Sequence, residues 1–225
     1  MGRICAGALL LVLVCPSASR ATSYDDLKQQ LARDRRALRL RQSAGRRGDL
    51  ASLERTLLLR IDRFFSAWLG SRWGLGLPQS TRPRQGKINC GLFVAVILRD
   101  AGFNLPIWKF NRQDTYHAIR SLAPRRSIRY FHKAPMAGFL AAVRRMGPGL
   151  FVIGLDFHIG FLRQDERGLR FIHASYVTHT VVDEPAAQAV PILSNKRRMM
   201  VGKILQPEML RAWLSGGRIE VLGDR

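Results

Sequence analysis

Apolar residues change their spacing part-way along this chain. Up to about residue 146 they recur every three or four positions, as Leu50, Leu53, Leu57, Ile61, Phe64 and Trp68 do, which is the spacing of a helix with one buried face. From Leu150 onward, short runs of β-branched and aromatic residues take over: Leu150–Leu155, Phe157–Leu162, Leu169–His173, Tyr176–Val182 and Met199–Leu205. Gln164-Asp165-Glu166-Arg167-Gly168 reads as a turn between two of them. Helices first and strands second describe an α+β domain and not a βαβ repeat.

The helical part has clear punctuation. Residues 24–42 read as a helix of mixed charge with Leu27, Leu31 and Leu38 on one side, broken by Ser43-Ala44-Gly45-Arg46-Arg47-Gly48. Asp49 stands as an N-cap before the Leu50–Trp68 pattern, and Gly70 follows its end. This pair is expected to pack on the domain as a helical hairpin. Ser71 to Lys87 is loop-like, with Gly74, Gly76, Pro78, Pro83 and Gly86. Cys90 opens a short apolar helix closed by Gly102. Asn111-Arg112-Gln113-Asp114 reads as a cap and first turn for a helix reaching Leu122, and Pro135–Met146 as another, with Gly147 just past it. Gln206-Pro207-Glu208 starts a last helix that ends at Gly216. A length of 225 residues, 47% of them hydrophobic, suits one domain with a helical appendage and argues against a disordered chain.

Residues 1–21 carry the marks of a secretory signal peptide: Arg3, an apolar stretch from Ile4 to Val14, then Pro16 and small residues up to Ala21. The apolar stretch is too short for an ordinary membrane-spanning helix. Lipidation at Cys15 is the weaker reading, because bulky Val14 stands where a small residue is expected. Cleavage after Ala21 would remove Cys5 and Cys15 and leave Cys90 as the one thiol, with no internal disulfide. The expected location is outside the cytoplasm, in the periplasm, in the cell envelope or secreted. The expected plan is a signal peptide over 1–21, a helical extension over 22–70 and an α+β domain over 71–225.

A lone cysteine in an exported chain is either a small buried hydrophobe or a reactive group. The helix start favours the second, since the uncommitted N–H groups of a first turn support a thiolate and an oxyanion. Such a thiolate needs an imidazole as counter-charge and proton carrier. Among the five histidines, His117 and His132 have unmarked contexts. His158 lies in Asp156-Phe157-His158-Ile159-Gly160-Phe161-Leu162, and His173 in Phe171-Ile172-His173-Ala174-Ser175, on the strand after a five-residue turn. Adjacent antiparallel strands would bring the two rings side by side. The reading is then thiolate Cys90, base His158 and orienting His173, against the plainer one of structural histidines. Cys and two His are also a zinc set, but no close ligand pair occurs, so no metal and no cofactor is expected. His179 is a lower-ranked candidate for either role.

Asn89-Cys90-Gly91, His158-Ile159-Gly160 and Ile172-His173-Ala174-Ser175, in that order, resemble the three site segments of NlpC-type papain-like cysteine peptidases of bacterial cell walls. The resemblance covers about Trp73 to Asp183. Asn89 stands where the family carries Asp, and Gly91 where it carries Ser. Trp73 is the nearest aromatic to the family's upstream tyrosine. The resemblance implies a papain-like domain, its nucleophile-bearing helix packed on an antiparallel sheet. It also implies a hydrolase of amide bonds in peptidoglycan stem peptides, with Cys90 acylated, His158 as base and acid, and His173 orienting the ring. Trp73, Arg84, Lys87, Asn89 and Gly91 are the expected substrate contacts.

The net charge of +21 bears on partners, not on fold. Arg72, Arg82, Arg84 and Lys87 precede Cys90 with no acid between them, and Lys196-Arg197-Arg198 with Lys203 forms a second cluster. A cationic hydrolase would be held near carboxylate-rich murein and could touch other anionic envelope surfaces. Neither cluster interleaves aromatic and basic residues as a single-strand nucleic-acid platform does, so no nucleic acid is expected, and a monomer is. The competing functions are a non-catalytic cationic envelope-binding domain and a thiol acyltransferase or amidase with another substrate.

Overall fold

A computed structural model describes residues 23–43, 49–194 and 196–223. The expected signal peptide with its alternative at Cys15, and most of the expected break after Ser43, lie outside the described residues. Helix α1 (Tyr24–Ser43) and helix α2 (Leu50–Trp68) come first. Asp49 caps α2, its carboxylate accepting from the N–H groups of Ala51 and Ser52. The apolar stripe of α2 is buried through Leu53, Leu57, Leu58, Ile61, Phe64, Phe65 and Trp68, as its spacing requires.

Two short strands follow, β1 (Arg72–Trp73) and β2 (Lys87–Ile88), paired in parallel. They lie in the stretch read as loop. Helix α3 (Cys90–Asp100) comes next and is buried almost all round from Leu92 to Leu98. The cap-and-turn reading of Asn111 is corrected: Ile107–Asn111 is a short helix of its own, α4, and Asp114 caps helix α5 (Thr115–Leu122). A single 3-10 turn leads to strand β3 (Ile128–His132), at whose end His132 lies. Then come α6 (Met136–Arg145), β4 (Gly149–Gly154), β5 (Ile159–Asp165), β6 (Gly168–Ala174), β7 (Val181–Pro185), α7 (Val190–Leu193), β8 (Arg198–Lys203) and α8 (Pro207–Ser215). The strand expected over Tyr176–Val182 is also corrected. Ser175 accepts from the N–H groups of Val177 and Thr178 and holds a turn there, so β7 begins only at Val181.

The fold is α+β. Its main sheet has six strands in the order β3-β8-β4-β5-β6-β7, every neighbouring pair antiparallel. Alternation along each strand divides the core between the two faces. Leu150, Val152, Phe161 and Ile172 join the cluster that holds α2, α3, α5 and α8. Phe151, Ile153, Leu162 and Phe171 join a second cluster with Phe139 and Val143 of α6 and Ile192 of α7. With helices on both faces, β4 is buried along its whole length. Helix α3 crosses the first face over β5 and β6, and its N-terminus comes to the end of the sheet where β5 starts.

Candidate functional site

Cys90 reaches its position through two constraints at the start of α3. Strand β2 delivers the chain, and Asn89 caps the helix with Oδ1 accepting from Leu92 N at 2.8 Å. Asn89 N in turn donates to Gln79 Oε1, and the Gln79 amide donates to the carbonyls of Gly74 and Gly76, tying the β1–β2 loop down. Since the cap takes the Leu92 N–H, the amides of Cys90 and Gly91 are left for the sulfur, and the amide of Ile159 joins them. The thiol is thus in contact with the backbone of the residue that follows His158.

His158 closes the β4–β5 connection, its carbonyl accepting from Leu155 N at 2.7 Å. Its ring is buried, and Nε2 lies 3.0 Å from Nδ1 of His173. Residue 160 can only be small here, because a Cβ would stand 2.8 Å from Cβ of His173. The His173 ring stacks on Phe171 with centroids 3.9 Å apart, and its Nε2 lies 3.1 Å from Oε1 of Glu184 on β7. Tyr176 stands edge-on to His158, with centroids 5.3 Å apart. The result is a row His158–His173–Glu184, walled by two aromatic rings; it lies against Phe171 of the second cluster, whereas Cys90 packs on the first.

Burial sets the electrostatics of this corner. It pushes the His158 imidazole well below its ordinary value, helped by the charges of His173 and Lys196. Burial alone does the same to His173. It pushes the Cys90 thiol up, against the opposing pull of the three amides. The resting groups are therefore a neutral thiol and a neutral imidazole, and not the thiolate with its counter-charge expected from the helix start alone. Desolvation outweighs the helix-terminal field at this site.

The other expected residues divide. Trp73 is brought in: its ring lies 6.4 Å from that of Tyr176 and 5.7 Å from that of His179. Its Nε1 is buried without a hydrogen-bond partner among the described residues. Asn89 and Gly91 are present as cap and first turn. Asn111 Oδ1 lies 2.7 Å from where a Cβ on Gly91 would be, which is why serine does not fit there as Asn111 now stands. Lys87 lays its chain over Gly74. Arg84 is not brought to Cys90 by any contact: its Nε donates to the carbonyl of Leu69 at the end of α2. Glu184 and Tyr176 were missed in the sequence. Glu184 follows from strand register alone, and Tyr176 reads in the sequence as the start of a strand. Phe157, 98% exposed, stands at the hairpin tip beside His158. The basic cluster at Lys196 comes near as well, Asp156 accepting from the N–H groups of Arg197 and Arg198 at 3.1 Å each.

Among the described residues no group of three or more His, Cys, Asp and Glu side chains could hold a metal ion, and no helix is long and apolar enough to cross a membrane. Compared with protein-family models, with curated proteins and with solved structures, the chain matches none.

Proposed function

We propose that the protein is an exported cysteine hydrolase of papain-like architecture that cuts amide bonds in peptidoglycan stem peptides. The observation that carries this reading is the meeting of three backbone amides on the Cys90 sulfur, one residue along from an imidazole whose Nε2 is already engaged by His173. The ring nitrogen left to His158 is Nδ1. The segments that resemble the cell-wall peptidases support the substrate class, and the positive charge of +21 supports attraction to a polymer rich in carboxylates.

On this reading His158 takes the thiol proton as the sulfur attacks the scissile carbonyl carbon. The N–H groups at the start of α3 hold the resulting oxyanion. His158 then returns the proton to the leaving amine, the C–N bond breaks, and a thioester remains on Cys90. Water, deprotonated by the same ring, releases the acid and restores the thiol. Because thiol and imidazole begin neutral, proton transfer accompanies attack instead of preceding it. His173 holds the His158 ring, and Trp73, Tyr176 and exposed Phe157 offer aromatic surface to the substrate.

The test uses purified sacculi. The wild-type chain is expected to release new amino groups, and Cys90→Ala to release none while still sedimenting with the sacculi. Release by neither with sedimentation intact leaves a cationic envelope-binding domain and removes the hydrolase, and equal release by both removes Cys90 as the nucleophile.

A further inference from the structure

The row of polar groups continues past the second histidine. Resting on the hydrolase reading above, we propose that Glu184 is a positioning residue that dictates which nitrogen of each histidine carries the proton, and so leaves Nδ1 of His158 without a hydrogen, as the base of that reading requires. The geometry permits one assignment once Glu184 is ionised. A carboxylate only accepts, so the His173 nitrogen 3.1 Å from Oε1, Nε2, must bear a hydrogen. A neutral imidazole has one N–H, and His173 Nδ1 is therefore an acceptor. The 3.0 Å contact between that atom and His158 Nε2 needs a donor, so His158 is protonated at Nε2. Its Nδ1 then holds a lone pair, as a base must.

A neutral residue at position 184 that donates to His173 would run the row in the opposite sense. His173 would donate through Nδ1, His158 would accept at Nε2, and the hydrogen would sit on His158 Nδ1, where no proton can be taken up. Burial holds both rings neutral, which is what gives each ring a single hydrogen to place. Strand pairing makes the contact possible. His173 pairs with Val182 across β6 and β7, and Glu184, two residues on, presents its side chain on the same face. When His158 gains the thiol proton, the same carboxylate faces the positive charge through His173.

The experiment is nitrogen-15 NMR of the histidine rings in the full chain near neutral pH, with no substrate present. In the wild type, Nε2 of both His158 and His173 is expected to carry the hydrogen, and Nδ1 of both to be bare. Glu184→Leu removes the acceptor and is expected to put hydrogen on His158 Nδ1 in part of the population. Glu184→Gln, with an acceptor and a donor at the same place, is expected to give a mixture of the two patterns. In turnover, Glu184→Leu is expected to lower kcat by about 10- to 100-fold with KM little changed. A hydrogen on His158 Nδ1 in the wild type, or a ring pattern unchanged in both variants, overturns the proposal. A pattern that shifts as expected in a chain whose wild type cleaves nothing upholds the role of Glu184 and removes only the hydrolase reading.

Discussion

Gly160 is where packing around the two histidines is tightest. A Cβ there would stand 2.8 Å from Cβ of His173, 2.8 Å from the Phe171 ring and 3.2 Å from the Ile172 carbonyl. None of these is the end of a flexible chain, so the strand or the His173 ring must move. Gly160→Ala is expected to cost about 1–3 kcal/mol in urea unfolding and to lower turnover further than that loss of folded protein explains. A variant with wild-type midpoint and turnover would contradict the packing. The helix-start place of Cys90 and the contact of His158 with His173 were legible in the sequence because each residue is a rare one in a marked setting: a helix start, an apolar run with a glycine, the next strand. Glu184 was not, since an acid among Val181-Val182-Asp183-Glu184-Pro185 gains meaning only from the register that sets it two positions beyond the partner of His173. The helix start points to a thiolate, whereas burial pushes the thiol up, for a related reason. Helix position can be read along a chain, whereas desolvation depends on what folds over the sulfur.

At the scale of elements, the capped start of α3 holds the site together. Asn89 links the helix to the β1–β2 loop through Leu92 N on one side and Gln79 on the other. Asn89→Ala is expected to lose about 1 kcal/mol of stability, the usual worth of a cap, and to loosen the Cys90 and Gly91 amides around the sulfur. Asn89→Asp keeps an acceptor for Leu92 N and should retain that stability. Its added negative charge near the sulfur is expected to raise the thiol further and slow alkylation of Cys90. Equal alkylation rates in Asn89→Asp and wild type would contradict the placement of that carboxylate. The long elements α2, α3, β4, β5 and β6 were readable because burial on one or both faces stamps a period or an apolar run on each. Strand β3 was not, for Arg129, Tyr130 and His132 are exposed on an edge and leave no alternation to see. The two-residue strands β1 and β2 are too short to carry any pattern.

For the whole molecule, α2 and the α3 face of the sheet share one apolar core, so the site corner and the N-terminal helices are stabilised together. Two buried neutral histidines in that structure tie folding to pH. Their folded values lie near 3, against an ordinary 6.5, so the unfolded chain binds their protons first. Stability is then full above pH 6.5 and falls as pH drops below it, by at most about 1.4 kcal/mol per pH unit for each ring. Urea midpoints between pH 7.5 and 5 are expected to decline, and less steeply in His173→Gln; a flat profile would contradict neutral burial. The central claim remains that the Cys90 sulfur and the His158 ring act as one catalytic pair. Its most direct test is the mass of fragments from a defined muropeptide incubated with wild type, Cys90→Ala and His158→Ala. The account predicts two fragments from the wild type whose masses together exceed the substrate by one water, and intact substrate with either variant. Those same fragments appearing at the wild-type rate with Cys90→Ala would contradict it.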